Sequence, residues 1–182
     1  CAPGEGGQRG NTLAMTMPPH PDPLPVGERE LWPDLAGRME GNSHVLPVRV
    51  YFEDTDFTGL VYHANFLKFC ERGRSDFIRV LGIDHRSLSN PKEGDPAVFV
   101  VRRIEIDYLK PARIDEVLEV VTSCAEMGGA TLVLAQEVRR DGAVLAKAKV
   151  NVVLVSKSGK PQRLGYLLRG VLQRFVNQPR ET

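Results

Sequence analysis

The sequence predicts an α+β fold in which one long helix lies against an antiparallel sheet. Three observations predict it. His63 to Leu81 carries apolar residues at helical spacing, five other stretches alternate or are rich in Val, and tight-turn pairs separate the last three of those.

The first 44 residues are of a different character. They hold most of the prolines and many of the glycines, with few apolar residues at any helix or strand period. Such a stretch buries too little surface to fold alone, so 1–44 is expected to be a disordered or loosely docked arm and 45–182 the folded domain. The arm opens on Cys1, with Met15, Met17 and Met39 as alternative starts, and lacks the apolar run of a signal peptide.

From Val45 the pattern is regular. Val48, Val50 and Phe52 alternate with Arg49, Tyr51 and Glu53, predicting a half-buried strand that the loop from Asp54 to Gly59 interrupts. In the helix that follows, Phe66, Phe69, Cys70, Phe77, Val80 and Leu81 form one apolar stripe. Gly73 falls on that stripe at a cost of about 1 kcal/mol in helix propensity, which suggests a close approach of another element. Gly82 suits the C′ position that ends the helix.

Strands are predicted at Ala97 to Tyr108, Val117 to Ala125, Ala130 to Val138 and Ala143 to Val155, followed by a closing helix from Leu164 to Phe175. Gly128-Gly129 and Asp141-Gly142 are hairpin signals, so the four strands are expected to run as a meander. A sheet covering a helix on one face leaves an edge to protect, and a two-fold dimer is the economical solution.

Composition narrows the function. The chain has 182 residues, 42% hydrophobic, with Lys+Arg 24 against Asp+Glu 23. A net charge of +1 gives no reason to expect nucleic acid or an anionic membrane as partner. No apolar run approaches the roughly 20 residues that span a bilayer. Cys1, Cys70 and Cys124 are too few and too scattered for a disulfide framework, which points to a reducing compartment; Cys70 and Cys124 sit on apolar patterns and read as inert core thiols. No metal site is expected, since no two histidines have ligand spacing. Ser158 to Lys160 reads as a turn, because the rest of a phosphate loop is missing.

Reactive groups crowd between the first strand and the helix, from Tyr51 to Asn65. Backbone N–H groups at a helix start point at whatever lies ahead of them. Asp56 precedes the loop, His63 opens the helix, and Gly59 permits the turn that brings them together. An Asp before a helix is more often a cap or turn residue than a catalyst, which suits Asp54 well. Three carboxylates, a histidine, an asparagine and two tyrosines nevertheless exceed what capping one helix requires. Glu71, Arg72 and Arg74 read as charge pairs on an exposed helix face.

Two patches carry a family resemblance. Val48-Arg49-Val50-Tyr51-Phe52-Glu53-Asp54-Thr55-Asp56, followed by Gly59-Leu60-Val61-Tyr62-His63-Ala64-Asn65-Phe66-Leu67-Lys68-Phe69 and Glu71-Arg72, resembles the signature of hotdog-fold acyl-CoA thioesterases of the 4-hydroxybenzoyl-CoA thioesterase type, closest to the subgroup associated with the Tol-Pal system. Ile106-Asp107-Tyr108 with Pro111-Ala112-Arg113 and Asp115 is similar to the same family. The resemblance implies a hotdog fold, with a five-stranded antiparallel sheet wrapped around one long helix, and subunits joined edge to edge as a homodimer or homotetramer with active sites at the interface. It implies Asp56 as nucleophile or general base, and the helix N-terminus at His63, beside that histidine, polarising a thioester carbonyl.

Substrate contacts are expected from Phe52, Phe57, Thr58, Gly59 and Tyr62, and phosphate contacts from Arg102, Arg103, Lys110 and Arg113. Phe52 stands where relatives often have Tyr, and Phe57 and Thr58 are larger than the residues common at those places. No cofactor is implied, since coenzyme A is part of the substrate. Acyl-CoA is the expected partner, acyl carrier protein a second one, and the location cytoplasmic, free or peripheral to the inner membrane. A hotdog dehydratase and a non-catalytic acyl-thioester binding scaffold are the alternative readings.

Overall fold

A computed structural model describes residues 37–83, 88 and 96–176. Its elements are β1 (Arg38–Glu40), β2 (Ser43–Arg49), a 3-10 turn (Phe52–Asp54), α1 (His63–Val80), β3 (Ala97–Tyr108), β4 (Val117–Met127), β5 (Thr131–Arg140), β6 (Ala143–Ser156) and α2 (Tyr166–Gln173). The strands form one antiparallel sheet in the order β1-β2-β4-β5-β6-β3. This is the α+β hotdog arrangement, with six strands where five were expected.

The sixth strand is β1. Arg38 to Glu40 pair with Ser43 to Val45, so the expected boundary at residue 45 falls inside β2. Residues 1–36 of the expected arm, Cys1 among them, lie outside the described residues.

The hairpin signals operate as their chemistry dictates. Asp141 and Gly142 both adopt positive φ, 50° and 76°, the pair of left-handed residues that joins β5 to β6. The four-strand meander is corrected. β4, β5 and β6 are sequential neighbours, but β3 pairs with β6, from Ala97 opposite Ser156 to Tyr108 opposite Ala146. The segment after Tyr108 contains Pro111 and holds Asp115 at φ 66°, and it leaves β3 to cross the end of the sheet, where Val61 N–H donates to Ala112 O at 2.9 Å. A short hairpin to β4 is thereby replaced by a crossing, and β3 becomes the far edge.

α1 packs on β2, β4 and β5. Phe66, Phe69, Cys70, Phe77 and Ile78 are its buried face, and full burial of a large apolar side chain contributes about 1.5–3 kcal/mol. Gly73 shows why it is glycine: a Cβ there would lie 2.6 Å from Val120 Cγ1 and 3.1 Å from Thr122 Oγ1, so the helix rests directly on β4. Gly82 ends the helix at φ 76°. α2 caps the sheet with buried Leu172, and Phe175 just beyond it meets Phe77 edge-on at 6.2 Å. Cys70 and Cys124 are buried, and desolvation pushes both thiols up to about 11, which makes them poor nucleophiles.

Arg74 departs from the expected exposed charge pair. It does bond Glu71 at 2.9 Å, but it is only 8% exposed, and its other nitrogen donates to Gln136 Oε1 at 3.0 Å. Gln136, itself buried, donates in turn to Cys70 O at 2.9 Å and Thr122 Oγ1 at 2.8 Å. A polar side chain of β5 thus draws a helix arginine into the helix–sheet interface and satisfies it there.

Candidate active site

The loop between β2 and α1 is held by a buried carboxylate. β2 ends at Arg49 and the chain turns at Tyr51, because Asp54 Oδ2 accepts the Tyr51 N–H at 3.0 Å. The expected alternation through Phe52 therefore fails. Val48 and Val50 are buried, but Phe52 sits in the 3-10 turn with 82% of its surface exposed. The Asp54 carbonyl accepts Tyr62 N–H at 2.9 Å and the side-chain amide of buried Asn65 at 2.8 Å, tying the turn to the start of α1. Asp54 is a structural residue, as its place before a helix suggested.

Asp56 sits in a tight loop beyond it. Its N–H donates to Leu60 O at 2.9 Å and its carbonyl accepts Gly59 N–H at 3.0 Å, a closure that places Gly59 at φ 74°. One carboxylate oxygen accepts the Thr58 hydroxyl at 2.5 Å and the Thr58 N–H at 2.8 Å. These bonds, the hydroxyl foremost, hold the Asp56 carboxyl below the usual carboxylate range, so it is ionised at neutral pH. Thr58, expected as a substrate contact, bonds the Asp56 carboxylate through both its hydroxyl and its N–H.

His63 is the first residue of α1, with its ring exposed and 4.3 Å from that of Tyr62. α1 has no side-chain cap at its N-terminus, so the positive end of the helix faces the space in front of it. Tyr108, at the end of β3, donates its hydroxyl to His63 O at 3.1 Å and presents its ring edge-on to Phe66 at 5.7 Å. Burial pushes the Tyr108 phenol up, with the Cys70 thiol adding to the effect, so it stays protonated and able to donate. Asp56, Tyr62, His63, Phe66, Tyr108 and Lys110 all line one open depression of about 420 Å³.

The other expected contacts scatter. Phe57 is fully exposed and, like Phe52, does not line the depression. Arg113 is bridged through its backbone to Leu60, but its side chain is exposed outside that lining. Arg102 and Arg103 lie mid-strand, about 15–20 Å along β3 from Tyr108 at ~3.3 Å per residue. Arg103 is paired with Glu105 at 2.9 Å. Tyr108 is the participant that residue-by-residue reading missed as a hydrogen-bonding group. Its signal was the alternation Ile104, Ile106, Tyr108, which puts it on the inner face where the strand ends.

Among the described residues, no group of three or more His, Cys, Asp or Glu side chains is placed to hold a metal ion, and no helix is long and apolar enough to cross a membrane.

Comparison with known proteins agrees with the architecture. Residues 58–147 match the family described as the thioesterase superfamily. The acyl-CoA thioesterase YbgC of Haemophilus influenzae is 40% identical over 117 residues, covering 64% of this chain and 84% of its own. The acyl-CoA thioester hydrolase YbgC of Escherichia coli O157:H7 is 40% identical over 110 residues, covering 60% and 79%. The crystal structure of a probable thioesterase from Bartonella henselae superposes with a TM-score of 0.65 at 41% identity, covering 68% of this chain and 99% of that one.

Proposed function

Because this chain belongs to the thioesterase superfamily, we propose that it hydrolyses acyl-CoA thioesters to a free acid and coenzyme A at the depression between Asp56 and the N-terminus of α1. The observation that carries this reading is the pairing of an ionised carboxylate with an uncapped helix N-terminus on one surface.

A thioester has a good leaving group in its thiolate. What the reaction needs is an attacking oxygen and stabilisation of the negative charge that develops on the carbonyl oxygen. Asp56 supplies the first in one of two ways: it attacks the carbonyl, giving a mixed anhydride that water then cleaves, or it takes a proton from the attacking water. The N–H groups of the first turn of α1, beginning with His63, supply the second. Thr58 keeps Asp56 ionised and oriented, and Tyr108 fixes the first turn by holding the His63 carbonyl.

The functional unit is a two-fold dimer joined through β3. The sheet's two edges differ. β1 has three residues, with Arg38 paired to Glu40 and Glu119. β3 has twelve, with Val98, Val100 and Val101 all at least 40% exposed. A long edge with unpaired backbone groups and exposed valines is the one that requires a partner. Joined there, the exposed Tyr108 and Leu109 at the mouth of the depression come next to the second subunit.

Thiol release from short-chain, long-chain and aromatic acyl-CoAs tests the activity. Turnover of at least one class is expected, and a dimeric, folded protein that releases none would refute hydrolysis and favour a binding role.

A further inference from the structure

The Asp56 loop is anchored to the segment that crosses the end of the sheet after β3. Leu60 O accepts the Asp56 N–H at 2.9 Å, Leu60 is bridged to Arg113, and Val61 N–H donates to Ala112 O at 2.9 Å. Residues 109–116 belong to no helix or extended strand. Backbone bonds pin their two ends. Leu109 and Lys110 N–H donate to Leu145 O of β6 at 2.8 and 3.0 Å, and beyond the end of β2 Val50 O accepts Asp115 N–H at 3.0 Å while Val50 N–H donates to Glu116 O at 2.9 Å.

Between those ends the crossing is held by a carboxylate. Glu116 folds back so that Oε2 accepts the Arg113 N–H at 2.9 Å. Arg140, at the end of β5, donates from Nη1 to both Glu116 oxygens at 2.7 Å and reaches Pro111 O at 3.5 Å. Charge-assisted bonds of this kind fix geometry more firmly than neutral ones. The two side chains are 32% and 24% exposed, so losing the pair costs the whole fold little, and fully buried Ala112 keeps the crossing from detaching. What the pair fixes is where the crossing lies.

We propose that Glu116 and Arg140 are a positioning pair, which sets the Asp56 carboxylate at its working place before the N-terminus of α1. The inference rests on the hydrolytic role of Asp56 proposed above. The two halves of the site reach the crossing by separate routes. Asp56 is tied to it through Leu60 and Arg113, whereas the first turn of α1 is tied through Tyr108, the last residue of β3, whose hydroxyl holds His63 O. A shift of the crossing at Arg113 therefore moves the acid and leaves Tyr108, secured by its strand, in place. Misplacement by about 1 Å can cost about a hundredfold in rate. The loss falls on kcat, since neither Glu116 nor Arg140 lines the depression.

Arg140→Ala and Glu116→Ala test the inference, with Arg139→Ala as control. Arg139 is the preceding residue of β5, and its ion pair, of similar exposure, is made with Glu137 rather than with the crossing. With each variant shown to be folded by circular dichroism, kcat for thiol release is expected to fall about tenfold in the first two, with KM within about twofold of wild type, and to be unchanged in the control. Glu116→Gln, which keeps an acceptor for the Arg113 N–H, takes the place of Glu116→Ala if that variant does not fold. The double variant Arg140→Ala/Glu116→Ala is expected to lose no more than Glu116→Ala, because both groups act through one series of bonds. Hydrogen exchange, which needs no substrate, reads the coupling directly: the peptide 55–62 is expected to exchange about threefold faster or more in Arg140→Ala and Glu116→Ala, with peptides from 66–80 unchanged. Unchanged exchange in that loop overturns the proposal, as does an unchanged kcat, a loss carried by KM, an additive loss in the double variant or an equal fall in Arg139→Ala. A wild type that turns over no thioester, with loop exchange still responding to the pair, would refute hydrolysis and leave the positioning of Asp56 standing.

Discussion

The Tyr108 hydroxyl donates to the backbone carbonyl of His63 at 3.1 Å, linking the last residue of the edge strand to the first residue of the central helix. The bond sits at the mouth of the depression and fixes the turn whose N–H groups face the substrate. Tyr108→Phe keeps the ring packing on Phe66 and removes only the bond. At this half-exposed position the expected stability loss is small, about 0.5–1 kcal/mol. A several-fold fall in kcat with little change in KM is expected, measured by steady-state thiol release alongside chemical denaturation.

Asp56 owes its depressed pKa first to the Thr58 hydroxyl. The catalytic form is the carboxylate, so activity is lost as pH falls through the Asp56 pKa. Thr58→Val removes the hydroxyl and keeps the Thr58 N–H bond, so the acid limb of the kcat/KM profile is expected to move to higher pH. An acid limb at the wild-type position would show that another group controls it.

His44 is fully buried in β2, with Nε2 3.0 Å from Asp76 Oδ2 and, among the described residues, no hydrogen-bond partner for Nδ1. Burial lowers its pKa, against the opposing pull of Asp76, whose second oxygen is paired with Arg79 at 2.9 Å. Neutral His44 is therefore favoured in the fold, and the unfolded chain binds the proton more readily. The sign follows: stability is fully present above the unfolded histidine value near 6.5 and falls as pH drops from there through the lower folded value. Denaturation midpoints at pH 8 and pH 5 should differ in wild type, and the difference should shrink in His44→Gln.

Gly73 has no room for a side chain above Val120. Gly73→Ala gains about 1 kcal/mol of helix propensity but meets a buried valine, and overpacking costs about 1–3 kcal/mol. Gly73→Val, with more to fit, should destabilise by about 2 kcal/mol or more. A Gly73→Val protein as stable as wild type would mean that α1 lifts off β4 freely.

Local chemistry wrote much of the fold visibly. The apolar stripe of α1 from Phe66 to Phe77, the Gly82 stop and the Asp141-Gly142 hairpin depend on neighbours within a few residues and appear where periodicity and turn chemistry place them, whereas Val80, expected on the stripe, is exposed at the helix end. What stayed hidden depends on partners distant in the chain. Arg38–Glu40 is too short to show a period and is a strand only because β2 lies beside it. β3 reads as a strand, but its place beside β6 is set by the crossing after Tyr108. Arg74 reads as a surface charge until Gln136, 62 residues away, accepts its bond.

The site divides in the same way. Asp56, Gly59 and His63 are close in sequence, and a glycine turn before a helix made their meeting legible. The cause of the low Asp56 pKa was not legible, because it lies first in the Thr58 hydroxyl, whose bond to the carboxylate depends on how the loop folds back on itself. Phe52 and Phe57 looked like pocket walls and face outward, since the Asp54 turn ends β2 before the strand's alternation can bring Phe52 inside.

The central claim is that the Asp56 carboxylate performs the hydrolysis at the N-terminus of α1. Its most direct test is the rate of thiol release by wild type, Asp56→Ala and Asp56→Asn on the best acyl-CoA of the panel, each variant first shown to be folded and dimeric. A fall of at least a hundredfold in kcat for both variants is predicted, as loss of a nucleophile or general base entails. Retention of most of the wild-type rate by Asp56→Asn would contradict the account, because an amide can neither attack the thioester as a carboxylate does nor take a proton from water.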